Sequence, residues 1–145
     1  MRSKLIHDGP QKTYALVLET GDEVISTVER FAAERELSAS QITGLGAFQD
    51  VVLGYFDWTR KDYKRIPLDE QLELISLVGN LALANGKPKL HAHVVVGRAD
   101  ATTRGGHLLE AHVRPTLELI VTESPAHLKR ECDSESGLAL IRIPS

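Results

Sequence analysis

"QLELISLVGNLALANGKPKLHAHVVVGR", residues 71–98, decides the fold. Two runs rich in Leu, Ile and Val flank Asn85-Gly86, a strong hairpin turn signal, with Pro88 just beyond. The stretch therefore reads as two strands about a tight turn. The second run opens with His91 and His93, separated by Ala92. Side chains alternate along a strand, so both imidazoles leave on the same face.

Upstream, "TYALVLE" at 13–19 alternates as a strand and "TGD" ends it. Asp22 is the expected N-cap of a helix, with Glu23 adding favourable charge to the first turn. Val24, Ile25, Val28, Phe31 and Ala32 make one apolar face, Glu29, Arg30, Glu34 and Arg35 the other, and the pattern runs out near Leu37. From there on the chain reads as strands. "SQITGLGAFQDVVLGYFDW" at 40–58 is rich in β-branched and aromatic residues, and Gly44, Gly46 and Gly54 imply bends or close backbone approach. "GLGAF" lacks the third glycine of a phosphate-binding fingerprint and reads as strand geometry. "YKRIPL", "HLLEAHV", "TLELIVTE" and "LALIRI" are further strands. A helix followed by strands, without alternation, indicates an α+β fold: a largely antiparallel sheet with one main helix packed on it. Residues 1–11 read as an N-terminal tail and 12–145 as a single domain.

At 145 residues and 42% hydrophobic content the chain can bury a proper core, and with 5% aromatics that core must be aliphatic. No apolar run reaches membrane-span length and the N-terminus carries no signal-peptide pattern. The single cysteine, Cys132, lies in the charged stretch "KRECDSESG", is expected at the surface and has no internal partner. A reducing, cytoplasmic setting is the expectation. A net charge of −3 argues against direct nucleic-acid binding, which draws most of its affinity from phosphate contacts. The most basic stretch, "TRKDYKR" at 59–65 beside Trp58 and Tyr63, reads as a solvated turn.

Three of the six histidines, His91, His93 and His107, crowd into 17 residues. Two residues of strand separate Cα atoms by about 6.6 Å, and imidazoles leaning together from there can share an ion at about 2.0–2.1 Å. His107 is the natural third ligand if residues 98–106 join neighbouring antiparallel strands. It follows Gly105-Gly106, which leaves room for a ligand or for another backbone. The competing reading is an ordinary polar sheet face. As a metal site, three neutral imidazoles without thiolate suit Zn²⁺, ahead of Ni²⁺, Cu²⁺ or Fe²⁺. With an open fourth position it is the catalytic type of zinc site. Glu110 and Glu73 are the candidate catalytic carboxylates, with Asp100 beside them. His112, five residues past His107, faces the other way and reads as structural; His7 and His127 read as surface residues. A cupin would also use H-x-H, but it expects a glutamate soon afterwards and "VVVGRAD" has none.

"ELISLVGN", "GKPKLHAHVVVGR" and "GGHLLEAHV" together resemble the core of the plants-and-prokaryotes-conserved (PPC) domain, and the likeness covers roughly residues 12–143. The resemblance implies an α+β fold, homotrimeric assembly and, in some prokaryotic members, a metal held by the histidines of H-x-H and G-G-H, which are His91, His93 and His107 here. Plant members join the domain to AT-hook segments in nuclear DNA-binding proteins; this chain has no AT-hook, so direct DNA binding is not carried over. It also has Ala101 where the family often has glycine after Asp, and Ala111 after "HLLE" where glycine is common. A trimer has a physical motive as well: "VVLGYF" and "LELIVT" carry more apolar residues than one half-buried face needs, and a symmetric interface would cover the surplus. The alternative is that they line a closed barrel in a monomer. Two functions remain open at this point. One is a zinc-binding homotrimer with a small-molecule site of hydrolase or lyase type. The other is a non-enzymatic oligomerisation or regulatory module that meets DNA only through partners.

Overall fold

The computed structural model describes residues 1–144 and contains nine strands and one helix. In chain order these are β1 (Arg2–Asp8), β2 (Lys12–Glu19), α1 (Val24–Glu34), β3 (Ala39–Asp57), β4 (Asp62–Leu68), β5 (Leu72–Ala84), β6 (Lys87–Gly97), β7 (Thr103–Glu123), β8 (Lys129–Cys132) and β9 (Ala139–Arg142). All strands join one sheet in the order β1-β2-β7-β3-β5-β8-β9, with β4 on β3 and β6 between β5 and β7. Pairing runs from β3 to β5, β6 and β7 and back to β3, so these four strands close on themselves. The sheet is antiparallel throughout except where β8 meets β5 over two residues. Strand dominates, with a single 11-residue helix, so the α+β expectation holds only loosely.

Alternation decides what is buried. Leu117, Leu119 and Val121 of β7 point inward with Leu72, Leu74 and Leu77 of β5 and Val94 and Val96 of β6. Helix α1 lays Val24, Val28, Phe31 and Ala32 on this core, and the Phe31 ring meets Tyr14 of β2 edge-on at 5.4 Å. The cap is Glu23 rather than Asp22: its carboxylate accepts from Ile25 N–H at 3.0 Å and Ser26 N–H at 2.7 Å. Asp22 instead accepts from Glu19 N–H at 2.9 Å and lies 3.1 Å from the N-terminal amine. The helix stops at Glu34, and Leu37 N–H donates back to the Ala32 carbonyl at 2.8 Å while its side chain is buried.

Three elements depart from the sequence expectation. The tail at residues 1–11 contains β1, which pairs with β2 from Arg2–Val17 to Asp8–Lys12. Every residue of β1 is exposed, so no apolar alternation marks it. "HLLEAHV" and "TLELIVTE" form one continuous strand, β7, straight through Pro115, where the ladder with β3 shifts register between Gly46 and Phe48. Proline is tolerated at such an irregularity because the ladder bond it cannot donate is already missing. "KREC" forms β8, which its charge concealed.

On the outer face of β3, β5 and β7, Leu45, Ile75, Val78 and Ile120 are all exposed. They surround a shallow cavity of about 310 Å³. The inward half of "LELIVT" lies in the core of the single chain, while Ile120 joins this outer patch.

Candidate metal centre

Two hairpins build the site. The β5–β6 turn takes Asn85 at φ 50° and Gly86 at φ 76°, positive at both central residues as a tight two-residue hairpin requires. That turn sets Asn80 opposite His91 and Val78 opposite His93. The β6–β7 turn sets His93 opposite His107. Directly opposed residues share a face, as do residues two apart on one strand, so the three imidazoles converge. Their ring centroids lie 5.2 Å (His91–His93), 5.1 Å (His91–His107) and 5.3 Å (His93–His107) apart. One ring nitrogen from each lies within 4.8 Å of the others. The Nε2 atoms of His91 and His93 are 3.3 Å apart. Ligands of a tetrahedral ion with bonds of about 2.0–2.1 Å sit about 3.4 Å apart. That pair is already at ligand spacing, and His107 brings a ring nitrogen within 4.8 Å of it.

Burial, then the neighbouring His91 and His93, push the His107 pKa down to about 4. Burial, Arg130 and His93 lower that of His91. Both shifts favour neutral imidazole, the form that binds metal. Tyr63 of β4 stacks on His107 at 4.6 Å between centroids, its hydroxyl 3.5 Å from Nδ1, and burial raises its pKa. Gly54 makes room for this stacking: a Cβ there would come within 2.8 Å of the Tyr63 ring. The Gly105-Gly106 pair serves backbone approach. A Cβ on Gly106 would meet the Gly54 carbonyl at 2.9 Å, and one on Gly105 the Val94 carbonyl at 3.2 Å.

No carboxylate completes the cluster among the described residues. Glu110 faces Arg65 at 3.5 Å. Glu73 pairs with Gly97, four residues beyond His93 and hence about 13 Å along the strand. Asp100 closes the β6–β7 turn by accepting from Thr102 N–H at 3.0 Å and its hydroxyl at 2.6 Å. His112 donates from Nδ1 to Asp50 at 2.7 Å, and that bond raises its pKa. His7 and His127 are exposed, although His127 shares a hydrogen bond with the Ser38 hydroxyl.

Arg130, Asn80 and Tyr63 were not singled out by sequence. The short parallel contact of β8 with β5 brings Arg130 to the Asn80 side-chain carbonyl, directly across from His91. Arg130 also donates to the Ala139 carbonyl at 3.2 Å, while its shielded Nε finds no acceptor. Burial lowers its pKa. A cavity of about 300 Å³ runs from His91 and His107 to Arg130 under Leu138 and Leu140.

A sequence model of the Plants and Prokaryotes Conserved (PCC) domain, the family of the resemblance above, matches residues 7–125. A plant- and prokaryote-conserved protein from Pyrococcus horikoshii is 32% identical, with a TM-score of 0.86 over 99% of this chain and 96% of its own. A protein from Archaeoglobus fulgidus described as metal-containing is 34% identical, with a TM-score of 0.84 over 91% of this chain and 94% of its own. A proposed DNA-binding protein from Bacteroides thetaiotaomicron is 26% identical, with a TM-score of 0.86 over 97% of this chain and 96% of its own. No curated protein matches the sequence. No helix among the described residues is long and apolar enough to cross a membrane.

Proposed function

The chain belongs to the Plants and Prokaryotes Conserved domain family, and from that premise we propose that it is a homotrimeric metal-binding domain whose His91, His93 and His107 hold zinc beside a small-molecule site. The convergence of three imidazole nitrogens within 4.8 Å carries the reading. An all-imidazole donor set suits zinc, which would supply Lewis-acid chemistry toward water or a small oxygen ligand. The metal-containing description of the Archaeoglobus relative points the same way. His91 and His107 are neutral and ready at ordinary pH, Tyr63 fixes the His107 ring, and the β5–β6–β7 ladders fix the spacing.

Assembly rests on the apolar patch of Leu45, Ile75, Val78 and Ile120, which copies of the chain would cover in a symmetric trimer. With a net charge of −3, any link to DNA runs through partners rather than direct phosphate contact.

The test is elemental analysis of the untagged protein beside its His91→Ala/His93→Ala variant. About one zinc per chain, lost in the variant while the circular dichroism spectrum is kept, is the expected result. No uptake by the wild type after zinc addition would return the histidines to an ordinary polar face. A variant that unfolds would identify them as fold residues instead.

A further inference from the structure

The cavity beside the three histidines holds one cation, Arg130, that no carboxylate balances among the described residues. Its ionisable lining is Tyr63, Lys89, His91, His107 and Arg130, with no carboxylate among the described residues. The Lys89 ammonium is already held by Glu29 at 3.0 Å. Arg130 has no carboxylate within ion-pair distance among the described residues, and its hydrogen bonds go to neutral carbonyls of Asn80 and Ala139. A half-buried cation left in this state is costly unless an anion meets it. A guanidinium is also the side chain whose planar fork best matches a carboxylate.

The position of Arg130 is fixed. Asn80 holds it, and Asn80 stands opposite His91 on the face where the imidazoles converge. An anion on Arg130 therefore lies beside the metal position. The remaining walls are apolar, from Ala84, Leu90, Leu138 and Leu140. A volume of about 300 Å³ is at the small end of ligand sites.

Resting on the metal reading above, we propose that this cavity binds a small monocarboxylic acid with a short apolar chain and a second oxygen on the adjacent carbon. Its carboxylate meets Arg130, its adjacent oxygen faces the metal position, and its chain lies under the β8–β9 hairpin. Arg130 is thus the residue that selects for the acid.

The experiment titrates zinc-loaded protein calorimetrically with 3-methyl-2-oxobutanoate, with its uncharged amide and with inorganic phosphate, in the wild type and in Arg130→Gln. The acid is expected to bind the wild type. The amide on the wild type, and the acid on Arg130→Gln, should each bind roughly tenfold or more weakly, because a charge-assisted hydrogen bond is lost. Zinc content should be unchanged in the variant. Arg130 also tethers β8, so the acid–amide comparison on the wild type tests the idea independently of the variant's fold. Equal binding of acid and amide overturns the proposal, as does phosphate binding as tightly as the acid. Zinc-loaded wild type that ignores the acid overturns this inference alone. Wild type that takes up no zinc overturns the metal reading and this inference together.

Discussion

Ala101 sits at φ 63° in the β6–β7 turn, a left-handed conformation that suits glycine and strains a residue with a Cβ. The same turn sets His93 opposite His107, so the strain lies in the connection that assembles the site. Replacing Ala101 by glycine should raise stability by about 0.5–1 kcal/mol, the strain relieved less the extra freedom of the unfolded chain. Thermal unfolding of the two proteins checks this, with metal content unchanged. His112 gives a pH-dependent contribution. Its hydrogen bond to Asp50 raises its pKa above the ordinary 6.5. The folded state therefore binds the proton more tightly than the unfolded chain. That stability is fully present below pH 6.5 and is lost as pH rises through the higher folded value. The gap in unfolding midpoint between wild type and His112→Gln should accordingly narrow on going from about pH 6 to about pH 8–9. A gap that widens would show that the Asp50 contact does not act through the charged imidazole.

Strand pairing sets where the site can form, and Gly79 shows how little slack it has. A Cβ at Gly79 would meet the His91 backbone carbonyl at 2.6 Å. Gly79→Ala should therefore push β5 from β6, cost about 1–3 kcal/mol by urea denaturation, and lower zinc occupancy because His91 moves with its strand. Unchanged stability and occupancy would mean that the ladder absorbs a methyl group freely. The β5–β6 hairpin was legible in the sequence because Asn85-Gly86 and two apolar runs agree on one register. The face shared by His91 and His93 followed from parity alone. His107 needed only a short hairpin loop, which the chain provides. Other elements left no such mark. β1 buries nothing, so its alternation carries no signal. The cap moved by one residue because Glu23 and Asp22 both carry a carboxylate able to reach backbone N–H groups. Arg130 reaches the site through a parallel contact of two residues, too short to leave any period in the sequence. Tyr63 lies in a stretch whose charge indicates a solvated turn, and the space that draws it onto His107 comes from Gly54 on another strand.

For the molecule as a whole, the outer apolar face and the histidine cluster share a border. Val78 stands directly opposite His93 and belongs to the exposed patch with Leu45, Ile75 and Ile120. At 57% exposure its replacement by glutamate costs a lone chain little, within about 0.5 kcal/mol, but sets like charges against one another in a symmetric interface. Val78→Glu should sediment as a monomer with an unchanged circular dichroism spectrum. A variant that stays assembled would move the interface off this face. The position of β2 has a further consequence, one of timing. Lys12 pairs with Glu123, and β2 touches the rest of the sheet only through β1 and β7. At about 5–20 residues per second, a ribosome takes roughly ten seconds to make the chain between those two partners. Until then Tyr14, Leu16 and Leu18 have no strand to cover them beyond the exposed β1. The earliest core strand to be synthesised is thus among the last to be buried, and pairings so distant in sequence close in milliseconds to seconds rather than microseconds. Nascent chains halted before β7 should accordingly stay open to protease at β2, and become resistant only once residues 116–123 have emerged.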